Sequence, residues 1–347
     1  MGEYSRSLAI AQAASRHWPG AAVHFILSRR APYAANPPFP ATLVDSSPTF
    51  HTAAVIESLE RLKPDVVIFD NAGRTAQLRA ARRLGARVIY ISSRPRQRRK
   101  AFRLTWMRLI DEHWIAYPEF LAGRLQFIER AKLKFLGRPV VRYLDVILSR
   151  ADSGRPGAVL ARADCAAGSY VLVVPGGGTG HPGAREVVGA FFTAARGLAA
   201  RRIPTVYVGP SVAAAADAVA VDAAPADAAA SSFWHPLGPL PQSELGELMR
   251  SARLIVANGG STLLQAIACG RPCIAVPIAQ DQLERTRRCV AAGVAVAGGP
   301  DAASILQGAE SLWGNEGQRL LLAERTERLG LQDGIETAMS ALKRFLG

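Results

Sequence analysis

Short apolar runs alternate along this chain with stretches of helical periodicity, and the alternation occurs twice. In the first half the pattern predicts strands at 22–27, 65–70, 87–92 and 113–117, with helices at 7–15, 52–62 and 75–84. Residues 137–168 are irregular and contain Gly and Pro, after which the pattern restarts. Strands are then predicted at 170–175, 205–208, 233–236, 254–257 and 273–277, and helices at 186–200, 243–251, 302–313 and 335–345. The Ala- and Asp-rich residues 211–230 read as a helix with a surface loop. Two successive βα runs predict an α/β protein of two doubly wound, parallel-sheet domains, with a ligand in the cleft between them. The expected division is 1–150, 151–333 and a closing helix, 334–347, packing back on the first domain. One irregularity stands out. The chain opens on Gly2-Glu3-Tyr4-Ser5-Arg6 and a helix, with no strand ahead, so the first strand of this domain reads as missing and the N-terminus as set too late.

Composition changes this picture little, and charge changes it more. With 347 residues, 49% hydrophobic and 20% charged, the chain has the makeup of a soluble globular protein of two domains. No apolar run reaches the length of a membrane span and no signal peptide heads the sequence, which points to the cytoplasm. Cys165, Cys269, Cys273 and Cys289 lack metal-binding spacing and fit buried thiols rather than disulfides. Residues 1–150 hold 25 Lys+Arg against 11 Asp+Glu, whereas 151–347 hold 17 of each, so the whole excess of +14 lies in the first half. That half should face an anionic surface or substrate. No RNP, helix-turn-helix or zinc-finger signature supports nucleic acid, so an anionic membrane is the expected surface.

The densest chemistry lies in 254–282, LIVANGGSTLLQAIACGRPCIAVPIAQDQ. A buried strand runs into Asn258, Gly259, Gly260, Ser261 and Thr262, where a helix opens; the helix stops at Gly270, and a second strand leads to Asp281 and Gln282. Glycines at a strand-to-helix turn let the backbone approach a ligand closely. Unpaired N–H groups and the dipole at the helix start suit a diphosphate. Asp281 and Gln282 stand at the same carboxyl edge of the sheet, where open α/β folds hold ligands. The segment therefore reads as a pocket for a phosphorylated, polyhydroxylated molecule. A second glycine turn, Gly176, Gly177, Gly178, Thr179 and Gly180 followed by His181, succeeds the strand at 171–174. A plain βα turn is its alternative reading, and without a P-loop Lys it disfavours ATP or GTP hydrolysis.

Taken with Gln265, Gly270-Arg271-Pro272 and Gly293, these two turns make residues 168–345 resemble the nucleotide-binding domain of GT-B glycosyltransferases of the MurG-like class, family 28. The resemblance implies two Rossmann-like domains facing a cleft and a UDP-sugar as donor. It implies no metal or other cofactor, and nothing in the chain resembles a DxD metal site. Ser261 and Thr262 would hold the diphosphate, Asp281 and Gln282 the donor sugar, and Leu237, within 233–240, would lie beside the base. The family commonly has Glu where this chain has Gln265, so the ribose would meet a neutral amide.

In the first half, Gly2-Glu3 followed by Ser7-Leu8-Ala9-Ile10-Ala11 resembles the family's acceptor-domain turn and helix, with Glu3 in the place where a His often acts as base. Glu3 or His181 is the expected base, the carboxylate with its pKa raised by burial. A helix-start Glu favoured by the dipole and a loop histidine are the alternatives. Asp70 and Asn71 end a strand at the carboxyl edge of the first sheet, where an acceptor could be met. Seven cations lie between 94 and 108, among them Arg94, Arg96, Arg98, Arg99 and Lys100, while Phe102, Trp106 and Leu109 fall at helical spacing. Three readings of this stretch stay open. It is a membrane-surface helix, a helix whose apolar face packs inside, or a set of arginines for an anionic acceptor such as a lipid diphosphate. The expectation is a metal-independent glycosyltransferase that passes a sugar to a lipid-linked or envelope saccharide, peripheral on the cytoplasmic face of the membrane. A nucleotide-sugar hydrolase resembling the PseG-like family, or an inactive membrane- or polyanion-binding module, are the alternatives.

Overall fold

The computed structural model describes residues 2–147, 157–176, 184–210 and 232–346. It falls into two compact units, Met1–Ile147 with Gln332–Gly347, and Leu148–Leu331.

In the first unit, α1 (Gly2–His17) precedes β1 (Phe25–Ser28) and β2 (Ala41–Val44), which pair in parallel as a sheet of their own. Next come α2 (Thr52–Leu62), β3 (Val66–Asp70), α3 (Thr75–Arg83), β4 (Arg87–Ser92), α4 (Pro95–Ala101) and α5 (Leu104–Met107). The unit continues with β5 (Glu112–Ile115), α6 (Glu119–Ala122), α7 (Phe127–Leu136) and β6 (Val140–Tyr143). Strands β3-β4-β5-β6 form a parallel sheet in that order. Its central strands are apolar on both faces, so each face needs a helical layer. One face packs through Phe69, Val88 and Tyr90 on Val55, Leu59, Leu78 and Trp106. The other carries Ile89, Ile91 and Trp114 beneath Ile10 of α1 and Ala338, Ala341 and Leu342 of the closing helix, Gly334–Leu346. Glu112 is fully buried; it accepts the Trp114 indole N–H at 2.6 Å and pairs with Arg142 at 3.0 Å and with Arg344 of the closing helix. A buried carboxylate is tolerated only with such partners, and these bind the closing helix to β5.

Three features of this unit depart from the sequence pattern. β6 lies within the stretch read as irregular; it is a short edge strand whose register is set by pairing with β5. α7 was not legible because its large apolar side chains, Phe127, Ile128 and Phe135, point outward and give no inward-facing stripe. Residues 94–110 are not one helix, since the chain breaks at Phe102 and Arg103 between α4 and α5.

The second unit contains α8 (Ala158–Arg162), β7 (Val171–Val174), α9 (Ala184–Ala200), β8 (Thr205–Val208), β9 (Trp234–Leu237), α10 (Gln242–Ser251) and β10 (Leu254–Asn258). It is completed by α11 (Ser261–Ala268), β11 (Cys273–Val276), α12 (Gln280–Ala291), β12 (Val296–Ala297), α13 (Ala302–Gly314) and α14 (Glu316–Arg328). The six strands are parallel, in the order β9-β8-β7-β10-β11-β12. Val171, Val173, Val256 and Ile274 pack against Phe191 and Leu198 of α9 and Ile305 and Leu312 of α13. The order reverses between β7 and β10. The connections from these neighbours run to opposite sides, which opens a crevice at their carboxyl ends.

Candidate active site

The glycine turn after β10 and Gly176, two residues beyond β7, leave the sheet at this reversal. Asn258, the last residue of β10, is 5% exposed and binds in both directions. Its Nδ2 donates to the Pro175 carbonyl at 2.7 Å, and its Oδ1 accepts the Gly260 N–H at 2.7 Å. One side chain thus fastens the end of β7 to the turn after β10. Gly176 has φ +75°, a left-handed conformation, and a Cβ there would collide with the Asn258 amide. A Cβ on Gly259 would stand 2.4 Å from Thr286 Oγ1, so α12 closes over this turn. Arg285 donates to the Gly259 carbonyl at 2.9 Å.

α11 begins at Ser261 with no side chain capping it. Ser261 is exposed and Thr262 is buried. The helix start therefore offers its first-turn N–H groups and its dipole to an anion in the crevice. Gln282 is buried, and its Oε1 accepts the Ile278 N–H at 3.0 Å, so this amide shapes the loop after β11. Gln265 donates from Nε2 to Gln242 Oε1 at 3.1 Å, joining α11 to the start of α10. Leu237 ends β9, an edge strand separated from β10 by β8 and β7. Asp281 lies in the first turn of α12. Gly177, Gly178, Thr179, Gly180 and His181 lie outside the described residues.

The structure thus brings together Asn258, Gly259, Gly260, Ser261, Thr262 and Gln282, and joins Gln265 to a residue the sequence reading passed over, Gln242. Arg285 and Thr286 were also passed over. They follow Gln282 by three and four residues on one helix, a spacing that places them on its face. An open groove of about 940 Å³ is bordered by Ile267, Gly270, Leu320 and Glu324. It sits at the far end of α11, away from these groups.

In the first unit, Glu3 is half exposed rather than buried. It accepts from Asn71 Nδ2 at 2.7 Å and stands 3.8 Å from Arg94. Asn71 adopts φ +52°, and its Oδ1 accepts the Ser93 N–H at 2.8 Å. The neighbouring Asp70 is the more enclosed carboxylate, its side chain 11% exposed; it accepts from Arg6 Nε at 3.1 Å and Ser7 Oγ at 2.9 Å. Burial pushes its carboxyl up against the opposing pull of Arg6 and Ser7.

The basic stretch resolves toward the inward-packing reading. Trp106 is 1% exposed, with its indole N–H on Thr75 Oγ1 at 3.0 Å, and Phe102 and Ile110 are buried beside it. An aromatic face spent in the core is not available to a bilayer, which corrects the membrane-surface assignment of Trp106. Arg98 is likewise committed internally, to Glu129 at 2.7 Å and to the carbonyls of Ala122 and Gly123 at 2.9 and 2.8 Å. Lys100 donates to the Gly73 carbonyl at 2.8 Å and lies 4.2 Å from the centre of a Trp106 ring. Arg94, Arg96 and Arg99 are exposed.

No protein-family model matches the chain, and no curated protein matches it. Solved structures do. A putative UDP-N-acetylglucosamine 2-epimerase from Listeria monocytogenes is 15% identical, over 96% of this chain and 90% of that one, with a TM-score of 0.58. The structure of Phytolacca americana UGT2 complexed with UDP-2fluoro-glucose and pterostilbene is 14% identical, over 99% and 97%, with a TM-score of 0.64. CalG4, the calicheamicin glycosyltransferase, is 15% identical, over 98% and 94%, with a TM-score of 0.59. At such identities the likeness is one of fold. The chain has the GT-B architecture of two Rossmann-like α/β units, each built on parallel strands.

Proposed function

We propose that the protein is a glycosyltransferase that takes a sugar from a nucleotide-diphosphate sugar, with UDP as the nucleotide, and passes it to a saccharide acceptor, lipid-linked or of the cell envelope. What carries the reading is the arrangement at the sheet reversal. Asn258 locks the turn after β10 to the end of β7 and leaves the uncapped start of α11 facing the crevice. A diphosphate seated there gains backbone N–H donors and the positive end of a helix dipole. The same groups offset the charge that grows on the leaving nucleotide as the glycosidic bond breaks. Asp281 and Gln282 are assigned to the donor sugar, Gln265 with Gln242 to the ribose, and the MurG-like class remains the family proposed.

Glu3 is the base this reading takes from the first unit. It is accessible to solvent and oriented by Asn71, which Ser93 in turn holds. His181 is the alternative base. Glu3→Gln should abolish transfer while leaving UDP binding unchanged; transfer at the wild-type rate would remove Glu3 from the mechanism.

The epimerases among the similar structures favour a second reading, conversion of the nucleotide sugar without an acceptor. Incubation with a panel of UDP-sugars, alone and with candidate acceptors, separates the two. Transfer requires both substrates, whereas hydrolysis or epimerisation of the donor alone at full rate overturns the transferase reading. Failure of UDP to raise the unfolding temperature at millimolar concentration would overturn both.

A further inference from the structure

Four cations of the first unit gather beside the loop that follows β3. Lys100 of α4 donates from Nζ to the Gly73 carbonyl at 2.8 Å, next to Arg74. Arg96 stands one helical turn before Lys100, and the Arg103 N–H is bonded to the Lys100 carbonyl at 3.2 Å. Arg74, Arg96 and Arg103 are exposed. Arg94 and Arg98, on the same segment, are spent on Glu3 and Glu129. Among the described residues, no carboxylate pairs with Arg74, Arg96, Lys100 or Arg103. Burial, with Arg74, Arg103 and Arg96 adding to it, pulls the Lys100 ammonium below its ordinary value. The fold therefore holds like charges together at a cost that a bound anion relieves. Phe50 stands beside them, 69% exposed, with the Arg74 guanidinium 5.6 Å from its ring centre. The segment leading to that ring is fastened in place. The Gly73 N–H donates to Thr49 Oγ1 and Arg74 Nε to the Thr49 carbonyl, both at 3.2 Å, while Gln77 Nε2 donates to the Pro48 carbonyl at 2.9 Å.

We propose that this cluster binds an acidic sugar, with Arg74, Arg96, Lys100 and Arg103 on its carboxylate or phosphate group and Phe50 against its ring. Guanidinium forks match the oxygens of such groups, and an exposed aromatic face suits the apolar face of a sugar. A nucleic-acid strand would call for a series of stacking rings, whereas here Phe50 is the exposed one. The same loop begins at Asn71, which holds Glu3. The inference thus rests on the first unit as the acceptor side, and it names the acceptor as an anionic saccharide.

The test is titration of the full chain, without donor, with trigalacturonic acid, a hexose phosphate, maltotriose and a short single-stranded oligonucleotide. An acidic sugar should bind about tenfold or more tightly than maltotriose, and weaken as salt is raised. Which of the two acidic probes binds tells a carboxylate from a phosphate. Arg96→Gln, Arg103→Gln and Phe50→Ala, all at exposed positions, should each weaken that binding about fivefold at an unchanged unfolding temperature. Lys63→Gln, which removes an exposed cation at the opposite end of α2 from Phe50, should bind as the wild type does. Equal affinity for maltotriose would overturn the proposal, as would undiminished binding by the three variants or an equal loss in Lys63→Gln. So would tighter binding of the oligonucleotide than of either acidic sugar. Failure of UDP to stabilise the chain is a separate result and bears on the donor reading alone.

Discussion

Asn258→Ala tests the central joint of the candidate site. The substitution removes both bonds of a side chain that is 5% exposed, so water cannot take the place of the lost amide without rearrangement. The Pro175 carbonyl and the Gly260 N–H, each now bonded at 2.7 Å, are left unpaired. Stranding a buried polar group costs about 1–3 kcal/mol, so two of them imply a loss of roughly 2–6 kcal/mol. For a unit of this size, about 3 kcal/mol corresponds to a fall of roughly 6–12 °C in unfolding temperature. Asn258→Asp is the informative control. It keeps the acceptor for Gly260 but turns the donor facing Pro175 into a second oxygen, so it should also destabilise at neutral pH. Acid should restore part of the loss, because a protonated carboxyl regains a donor. Thermal unfolding, with and without UDP, reads both effects. UDP at a hundredfold excess over its Kd should stabilise the wild type by about 2.7 kcal/mol, and Asn258→Ala should forfeit most of that gain. If Asn258→Ala unfolds within roughly 0.5 kcal/mol of wild type and gains as much from UDP, the joint has no role.

Three further outcomes follow from the packing and the charges. Gly176→Ala places a methyl group against the Asn258 amide at φ +75°, so it should destabilise by about 2 kcal/mol or more and abolish stabilisation by UDP in the same assay. Burial, with Arg98 adding to it, pushes His113 from 6.5 down to about 3. Between those values the unfolded chain binds a proton that the folded chain refuses, so stability is full above pH 6.5 and falls by about 1.4 kcal/mol per unit as pH drops. His113→Asn should flatten this component in chemical denaturation at pH 7 and pH 5, and parallel losses in both proteins would contradict it. Leu342→Ala, in a side chain 3% exposed, should cost about 3 kcal/mol through the cavity it leaves against Ile89 and Trp114. Hydrogen exchange should rise in β4 and β5 and stay unchanged in β10, since only the first unit uses the closing helix.

The strands most plainly written in the sequence are those buried on both faces. Residues 87–92 and 205–208 appear as β4 and β8 with the predicted bounds, because an unbroken apolar run between turns admits few other structures. The glycine turn at 258–260 was equally legible, since a close backbone approach has one economical solution in residue type. α7 and β6 were not. The apolar stripe of α7 does recur at helical spacing and was passed over, while a four-residue edge strand is too short for a periodic signal that local sequence can distinguish from loop. Trp106 shows the same limit from the other side, because helical spacing gives the period of an apolar face but not what covers it.

Among the candidate residues, the sequence by itself determined which types stand at the carboxyl ends of the strands: Asn258, the glycines, Ser261 and Thr262, Asp281 and Gln282. Those identities suffice to propose a pocket chemistry, because strand-to-helix turns are local and their residues adjacent. Only the tertiary structure decided the order β9-β8-β7-β10-β11-β12, which sets β7 beside β10 and lets Asn258 reach a carbonyl 83 residues away. It also decided that Asp70 is paired and largely enclosed while Glu3 is accessible, and that α7 presents large apolar groups to solvent while Phe102, Trp106 and Ile110 are buried. The physical reason is common to all three: burial and partnership depend on residues distant in the chain, and period and composition report only on near ones.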